Sequence, residues 1–390
     1  MNLEMPVFGS AEFVIRRGSI EFLTKLDKKR IALIVDSVAL GNRLTDIQSM
    51  LTEAGIENKI LIDINREPYI QDLDQSIPAI QEYKPDCIVS IGGGSVMDAG
   101  KALWIFYEHP EMSWDDAFKY FRIPPLGKNA TLVAVPTTSG TGSETTFVAV
   151  FTNGETKSKH LIMSREIIPN YAILDADLVD SLPTTVALHS GIDALTHAME
   201  AAISVASSPM VSSVALAAVL DIFEWLPGSI LSEEGSELRK QARERMHIAA
   251  SMAGMCIANT CCSLAHAFDQ PGPYFNIPHG LVCGIFLPYT TKYLLPNPYY
   301  TKLAERMGFS GNEFEKGKQL VLYLHDFMSR LGMPSSFKAA GIPREEFMEK
   351  LDDFVDLAEE SISTKLSPRI PNRDEIIRIF LDAYEGSALY

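Results

Sequence analysis

The sequence predicts an α/β N-terminal half with a mainly parallel sheet, followed by an all-α C-terminal half. Short apolar, β-branched runs alternate with amphipathic stretches through the first half, whereas apolar residues recur at helical spacing after residue 182. The chain has 390 residues, which is more than a single hydrophobic core usually contains. We therefore expect two domains, at residues 1–180 and 181–390.

The first half begins with a repeated strand-helix-strand pattern. Strands are predicted at residues 30–36, 59–64 and 87–91, with helices at 44–54 and 73–83 between them. This βαβ order is typical of a parallel sheet covered by helices on both faces. Further strands are predicted at 130–135, as a hairpin at 147–151 and 160–164, and as an edge strand at 171–174.

The second half is predicted to be helical. Its helices are expected at residues 191–203, 209–226, 238–258, 318–331 and 376–384. The apolar run at 205–226 is interrupted by serine, proline and two acidic residues, so we expect it to be a core helix rather than a membrane anchor.

Composition excludes several functional classes. The formal net charge of −16 opposes binding to phosphate backbones, so no nucleic-acid partner is expected. The N-terminus lacks a basic segment followed by an apolar core, and no membrane partner is expected. Five cysteines lack the spacing of a disulfide framework or a cysteine zinc site, which indicates reduced thiols and a cytoplasmic location. We also expect a homo-oligomer, as a dimer.

Two loops follow predicted strands and carry the residue types that bind phosphate. Gly92-Gly93-Gly94-Ser95 lies between the strand at 87–91 and a helix, where glycines let the backbone approach an anion and free N–H groups point toward it. Asp98 and Lys101 follow on that helix. A second loop, residues 136–144, is rich in threonine and serine and follows the strand at 130–135. Two such loops at one sheet edge can hold one extended cofactor, although the spacing is not Gly-x-Gly-x-x-Gly.

A candidate metal site is formed by one carboxylate and three histidines. Asp193 and His197 are four residues apart on a predicted helix, a spacing that also fits an ordinary hydrogen bond. His266 and His279 lie at two later bends and complete a set suited to divalent iron or zinc. The other histidines are expected to have surface or capping roles: His109, His160, His189, His247 and His325.

These segments together resemble the iron-containing, or type III metal-dependent, alcohol dehydrogenases along essentially the whole chain. The matching motifs are Gly-Gly-Gly-Ser-Val-Met-Asp-Ala-Gly-Lys at 92–101, Pro-Thr-Thr-Ser-Gly-Thr-Gly-Ser-Glu at 136–144, Gly-Ile-Asp-Ala-Leu-Thr-His-Ala-Met-Glu at 191–200 and Pro-His-Gly at 278–280. The resemblance implies a dinucleotide-binding α/β domain and a helical domain, the architecture shared with dehydroquinate synthase, with metal and substrate in the cleft between them.

The resemblance also implies roles for individual residues. The metal ligands, and hence the catalytic centre, are Asp193, His197, His266 and His279. The family positions that contact the cofactor are matched by Gly93, Gly94, Ser95, Asp98, Thr137, Thr138, Thr141 and Lys159. The expected cofactors are a divalent metal, with Fe²⁺ preferred over Zn²⁺ or Mn²⁺, and NAD(H), with NADP(H) as the alternative.

Three departures from the family pattern bear on specificity. Many relatives have a proton-relaying histidine where this chain has Gln270, which cannot titrate, so a relay would use Asp269, a ribose hydroxyl or water. Glu67-Pro68 stands where relatives often have Asn-Pro. After the strand ending near residue 35, either Asp36 or Ser37 faces the ribose. An aspartate there repels a 2′-phosphate and favours NAD, whereas a serine does not.

The expected activity is hydride transfer between the dinucleotide and a small primary alcohol or aldehyde, with an acidic tail group on the substrate as one option. The pocket is expected to include residues near Phe147, Phe151, Ile257, Cys261, Cys262 and Phe268. Two alternatives remain open on the residues alone. One is a non-redox lyase like dehydroquinate synthase, which would need clustered Lys and Arg near the metal. The other is a catalytically inactive metal-binding scaffold.

Overall fold

The computed structural model describes residues 9–66, 69–154 and 159–390, with the backbone alone at Lys159. Eight strands lie in the first half: β1 (Glu12–Ile15), β2 (Arg30–Val35), β3 (Glu57–Asp63), β4 (Cys87–Gly92), β5 (Thr131–Pro136), β6 (Val148–Thr152), β7 (Lys159–Met163) and β8 (Tyr171–Leu174). The helices of this half are α1 (Ser37–Leu40), α2 (Asn42–Glu53), α3 (Ile70–Tyr83), α4 (Gly94–Glu108) and α5 (Trp114–Ala117).

Six strands form one fully parallel sheet in the order β1-β8-β5-β4-β2-β3. Strand β2 shows why both faces are covered: Ile31 and Leu33 pack into one apolar cluster, and Ala32 and Ile34 pack into the other. Burial on both faces explains the continuous apolar runs that predicted these strands. The predicted α/β half is therefore confirmed.

One strand has a different place from the one predicted. Strand β8 was expected at the sheet edge, but it lies inside the sheet between β5 and β1, and β1 forms the edge. Strand β1 was not predicted, because its four residues carry too little pattern to stand out. The predicted hairpin exists as a separate antiparallel pair, in which β6 pairs with β7.

The second half of the described chain is helical, as predicted. Its helices are α6 (Thr184–Ile203), α7 (Pro209–Leu231), α8 (Glu237–Ile257), α9 (Leu264–Ala267), α10 (Pro271–Phe275), α11 (His279–Tyr293), α12 (Pro298–Arg306), α13 (Glu313–Arg330), α14 (Arg344–Glu360), α15 (Ile362–Lys365) and α16 (Arg373–Glu385). They enclose one large apolar core. The domain division at 180/181 falls between the last strand and α6 and stays a prediction.

Among the described residues, one helix is long and apolar enough to cross a membrane by length and composition, namely α7. Its residues Ala215, Val219 and Ile222 belong to the helical core, where α7 packs against α6 and α8. A buried core helix meets the same criterion, so this finding gives little support for a membrane span. All five cysteines are free thiols.

Candidate active site at the sheet edge and the helical core

Three strand ends form the first part of the site. Strands β2, β4 and β5 are neighbours and parallel, so the residues that follow them meet at one edge of the sheet. A side chain at Gly93 would lie 3.5 Å from Thr138, and one at Gly94 would lie 3.0 Å from Thr141. The glycine turn and the loop at 136–144 therefore pack against each other at this edge, as the sequence predicted.

The glycine turn leads directly into α4, a helix of 15 residues that begins at Gly94. The N–H groups of Val96 and Met97 donate to the Gly93 carbonyl, whereas those at the very start of the helix have no acceptor within it. The helix dipole adds partial positive charge there. Gly93, Gly94 and Ser95 are partly exposed, as are Thr138 and Thr141, whereas Thr137 is buried and its hydroxyl has no hydrogen-bond partner in the described structure. This end of α4 can bind a phosphate.

Asp98 and Lys101 belong to a buried network rather than to an open surface. The two carboxylate oxygens of Asp98 accept hydrogen bonds from the Ser143 hydroxyl at 2.6 Å and the Val150 N–H at 2.9 Å. Burial raises the pKa of Asp98 and lowers the pKa of Lys101 to about 8, and the opposite charges of the pair oppose both shifts. The network fixes the loop at 136–144 to α4, and a direct contact between Asp98 and the cofactor stays a prediction.

Asp36 and Ser37, the two candidates for the ribose contact, have separate partners. The Asp36 carboxylate accepts from the Ala39 N–H at 2.9 Å and caps α1. Ser37 donates through its N–H and its hydroxyl to Asp63, which ends the neighbouring strand β3. Asp63 was not predicted. Glu67-Pro68 and the side chain of Lys159 lie outside the described residues.

The metal-ligand set forms a compact cluster in the helical half. Asp193 Oδ1 lies 3.6 Å from His197 Nε2, 3.5 Å from His266 Nε2 and 3.5 Å from His279 Nε2. Two ligand atoms about 2.1 Å from one ion, at a tetrahedral angle, are about 3.4 Å apart. Asp193 Oδ1 and His266 Nε2 are buried without hydrogen-bond partners in the described structure. The four side chains therefore fit a single divalent ion.

Three elements supply these ligands, and a glycine allows their close approach. Asp193 and His197 lie on α6, His266 on the short helix α9 and His279 at the start of α11. A Cβ atom at Gly280 would lie only 2.0 Å from the His189 carbonyl oxygen. Any larger residue there would push α11, and His279 with it, away from α6.

Two buried carboxylates orient the histidines from behind. His266 Nδ1 is 2.7 Å from Glu200, which also accepts from the backbone N–H groups of Ser263 and Ala265. His279 Nδ1 is 2.5 Å from Asp269. Such carboxylate-histidine pairs fix the ring that points its other nitrogen at a metal. Glu200 was not among the predicted functional residues, although it lies seven residues after Asp193 on the same helix.

The electrostatics of the cluster reflect its crowded charges. Burial opposes ionisation of Asp193, but His197, His279 and His266 outweigh it and lower the pKa of this carboxyl. Burial lowers the pKa of His197 to about 4, whereas nearby thiols and carboxylates outweigh burial and raise the pKa of His266 and His279. Asp193 and His197 are buried, whereas 43% of the His279 side chain is exposed. The cluster therefore opens to solvent beside His279.

The phenylalanines that mark the expected pocket region are core residues. Phe147, Phe151 and Phe268 are all buried, and Phe268 packs against Phe286 and Phe380. Their apolar character reflects packing rather than substrate contact.

His247 was expected at the surface, yet it is 2% exposed. Gln270 donates to the Ala267 carbonyl at 3.2 Å just before α10, and Asp269 holds His279. Gln270 thus supports the local backbone, and Asp269 orients a ligand instead of standing free as a relay.

Comparison with known proteins finds a family match for both halves of the chain. Residues 11–176 match the family described as iron-containing alcohol dehydrogenase, and residues 187–384 match its C-terminal part. An NADPH-dependent butanol dehydrogenase from Clostridium saccharobutylicum is 34% identical over 377 residues, covering 95% of this chain and 96% of that protein. An iron-containing alcohol dehydrogenase from Thermococcus thioreducens has 29% identity and a TM-score of 0.88, with 98% of this chain and 100% of that chain covered.

A 1,3-propanediol oxidoreductase structure has 28% identity and a TM-score of 0.90, with 98% of this chain and 100% of that chain covered. These relatives do not favour the lyase or the inactive scaffold. The chain belongs to the iron-containing alcohol dehydrogenase family and is a metal-dependent enzyme that transfers hydride between NAD(P)(H) and an alcohol or aldehyde.

Proposed function

We propose that this enzyme interconverts a short primary alcohol and its aldehyde at an Fe²⁺ ion held by Asp193, His197, His266 and His279, with Zn²⁺ or Mn²⁺ as weaker alternatives. One observation carries the proposal: three imidazole nitrogens lie 3.5–3.6 Å from one buried aspartate oxygen. The set of nitrogen and oxygen donors suits divalent iron.

Residues of this chain position the metal ligands and balance the charge of the ion. The ion would supply Lewis-acid polarisation of the substrate oxygen. The negative charge of Asp193 offsets part of the ion's charge, and Glu200 and Asp269 hold His266 and His279 in the ligating orientation. Because the cluster opens beside His279, substrate reaches it from that side.

The sheet edge is proposed to hold the dinucleotide. The N-terminus of α4 binds the pyrophosphate through backbone N–H groups at Gly93, Gly94 and Ser95. The hydroxyls of Thr137, Thr138 and Thr141 add hydrogen bonds from the facing loop, and the predicted roles of Asp98 and Lys159 complete the set. The packing of the two loops against each other supports this assignment.

We propose that NAD(H) is preferred over NADP(H). Asp36 follows strand β2 and Asp63 ends the neighbouring strand β3, and both carboxylates repel a 2′-phosphate placed at this edge. The NADPH dependence of the butanol dehydrogenase relative makes the opposite preference the competing hypothesis. Comparing kcat/KM with NADH and NADPH on one aldehyde decides between them. A preference for NADPH in the native enzyme would refute ours.

The substrate is proposed to be a short unbranched aldehyde or its alcohol, in keeping with relatives named for butanol and 1,3-propanediol. An aldehyde with an acidic tail is the second candidate, and it is disfavoured by the carboxylates around the metal cluster, Asp193, Glu200 and Asp269. Screening butanal, 3-hydroxypropanal and an ω-carboxy aldehyde separates the two. Faster reduction of the ω-carboxy aldehyde would make an aldehyde with an acidic tail the preferred substrate class.

The enzyme is further proposed to act in the cytoplasm as a homodimer, without nucleic-acid or membrane partners. Five free thiols and the net charge of −16 support the location and the absence of nucleic-acid binding. Light scattering of the purified protein tests the dimer.

The main experiment measures NADH oxidation at 340 nm after metal removal and reloading with Fe²⁺, Zn²⁺ or Mn²⁺. We expect no turnover without metal and the highest turnover with Fe²⁺. Turnover that persists at full rate in the metal-free protein would refute the proposed centre.

A further inference from the structure

The loop at 136–144 is attached to the helical half through one face of α8. His247, Ser251 and Gly254 lie four and three residues apart, so they share a face of this helix. His247 contacts Ser139, Ser251 donates a hydrogen bond to the buried Glu144, and Gly254 packs directly on the Gly142 backbone. The position of the loop at 136–144 therefore depends on the position of α8.

Among these three residues of α8, His247 is the one whose partner, Ser139, directly follows the proposed cofactor residue Thr138. Its Nδ1 lies 3.1 Å from the Ser139 hydroxyl, and its other ring nitrogen is buried with no hydrogen-bond partner in the described structure. The ring is only 2% exposed, and burial lowers its pKa to about 4. It is therefore neutral at pH 7, and the bond to Ser139 is the polar interaction that defines its orientation.

Ser139 stands in the middle of the hydroxyl-rich loop. Thr138 precedes it and Thr141 follows two residues later, and these two threonines face the glycine turn. On the other side, a side chain at Gly140 would lie 2.5 Å from Ser190 of α6. The loop is thus confined between the glycine turn and two helices of the metal-binding half.

We propose that His247 is a positioning residue for the dinucleotide. Through Ser139 it holds the loop so that Thr138 and Thr141 face the cofactor, and it does not touch the substrate or the metal. This inference rests on the proposed cofactor site. It predicts that loss of the bond weakens dinucleotide binding and leaves metal binding unchanged, because the ligands come from α6, α9 and α11.

The test compares Ser139→Ala and His247→Leu with the native enzyme, all loaded with Fe²⁺. The dissociation constant for NADH is measured by quenching of protein fluorescence, and metal content and the melting temperature are measured in parallel. We expect each variant to raise the Kd for NADH about three- to tenfold, the effect of one hydrogen bond. The double variant should be no weaker than the worse single variant, because both remove the same bond.

Two further variants separate positioning from general stability. His247→Asn can still reach Ser139 with a polar group and should restore part of the NADH affinity. Leu324→Ala, in the core of α13, should lower the melting temperature while the Kd for NADH stays native. If His247→Leu does not fold, Ser139→Ala gives the answer alone, since it removes only a hydroxyl.

Two outcomes have distinct meanings. A native Kd for NADH in Ser139→Ala overturns the role of His247 and leaves the cofactor site standing. Failure of the native enzyme to bind NADH or NADPH overturns the proposed cofactor site itself, and the inference falls with it.

Discussion

The two halves of the proposed active site are built in different ways. The proposed dinucleotide side has backbone groups at the ends of adjacent parallel strands, and its glycine turn is a single continuous segment. The proposed metal side has four side chains from three helices, spread over residues 193–279. A backbone site is vulnerable to added bulk, whereas a side-chain cluster is vulnerable to the loss of any one member. Substitutions that distinguish these failures test the comparison directly.

The largest effect is expected for His266→Ala. It removes one of four ligands and leaves the buried charge of Asp193 less compensated, so metal affinity should fall by more than about 100-fold and turnover should cease. NADH affinity should change little, because the phosphate-binding loops belong to the sheet edge. Metal analysis and NADH titration of the same sample check both claims. Full metal content with normal turnover would remove His266 from the ligand set.

Glu200→Gln should have the next largest effect. The amide keeps the shape but loses the negative charge that orients His266, so metal affinity should fall about 10- to 100-fold while the ligands remain. Competition with a chelator gives the affinity. Asp269→Asn is the matched variant at His279, and we expect a smaller loss there because that ring is more exposed. A metal affinity equal to that of the native enzyme in both variants would show that Glu200 and Asp269 do not support the ligands.

A pH experiment examines the contact between the two halves. Burial lowers the pKa of His247 to about 4, below its ordinary value of 6.5, so its neutral form stabilises the fold above pH 6.5 and this contribution is lost as pH falls toward 4. Between pH 7 and pH 5 the native protein should lose about 2 kcal/mol more stability than His247→Leu. Urea unfolding at both pH values measures this. Parallel losses in the two proteins would show that burial does not lower the pKa of His247 in the folded protein.

Gly94→Val is expected to have the smallest effect of the four. Its Cβ atom would lie 3.0 Å from Thr141, and the branched side chain would separate the two loops. NADH affinity should fall about tenfold, while metal content stays native. Gly127→Val, at an exposed turn away from the site, serves as a control for stability alone, because φ there is +90° and the substitution is strained. Equal loss of metal in a folded Gly94→Val protein would mean that the two halves fail together.

The contact through α8 modifies the comparison. The loop at 136–144 is fixed to the sheet half by Asp98 and Lys101 and to the helical half by Ser139, Glu144 and Gly142. The two sites are therefore separable in their ligands but share one structural support. A substitution in that support should affect the dinucleotide first.

The sequence by itself determined the fold class and singled out the four candidate metal ligands. Burial on both faces of the sheet requires continuous apolar runs in β2 and β4. A spacing of four residues places Asp193 and His197 on one face of α6. Both features are therefore visible as local sequence patterns.

The tertiary structure alone decided which contacts join distant segments. The placement of β8 beside β1, the pairing of Glu200 with His266 and the burial of His247 against Ser139 each depend on residues more than 60 positions apart. A local pattern carries no information about such partners, because packing of whole elements brings them together. For the same reason the apolar side chains of Phe147, Phe151 and Phe268 could not be assigned to core or pocket before the helices and strands had positions.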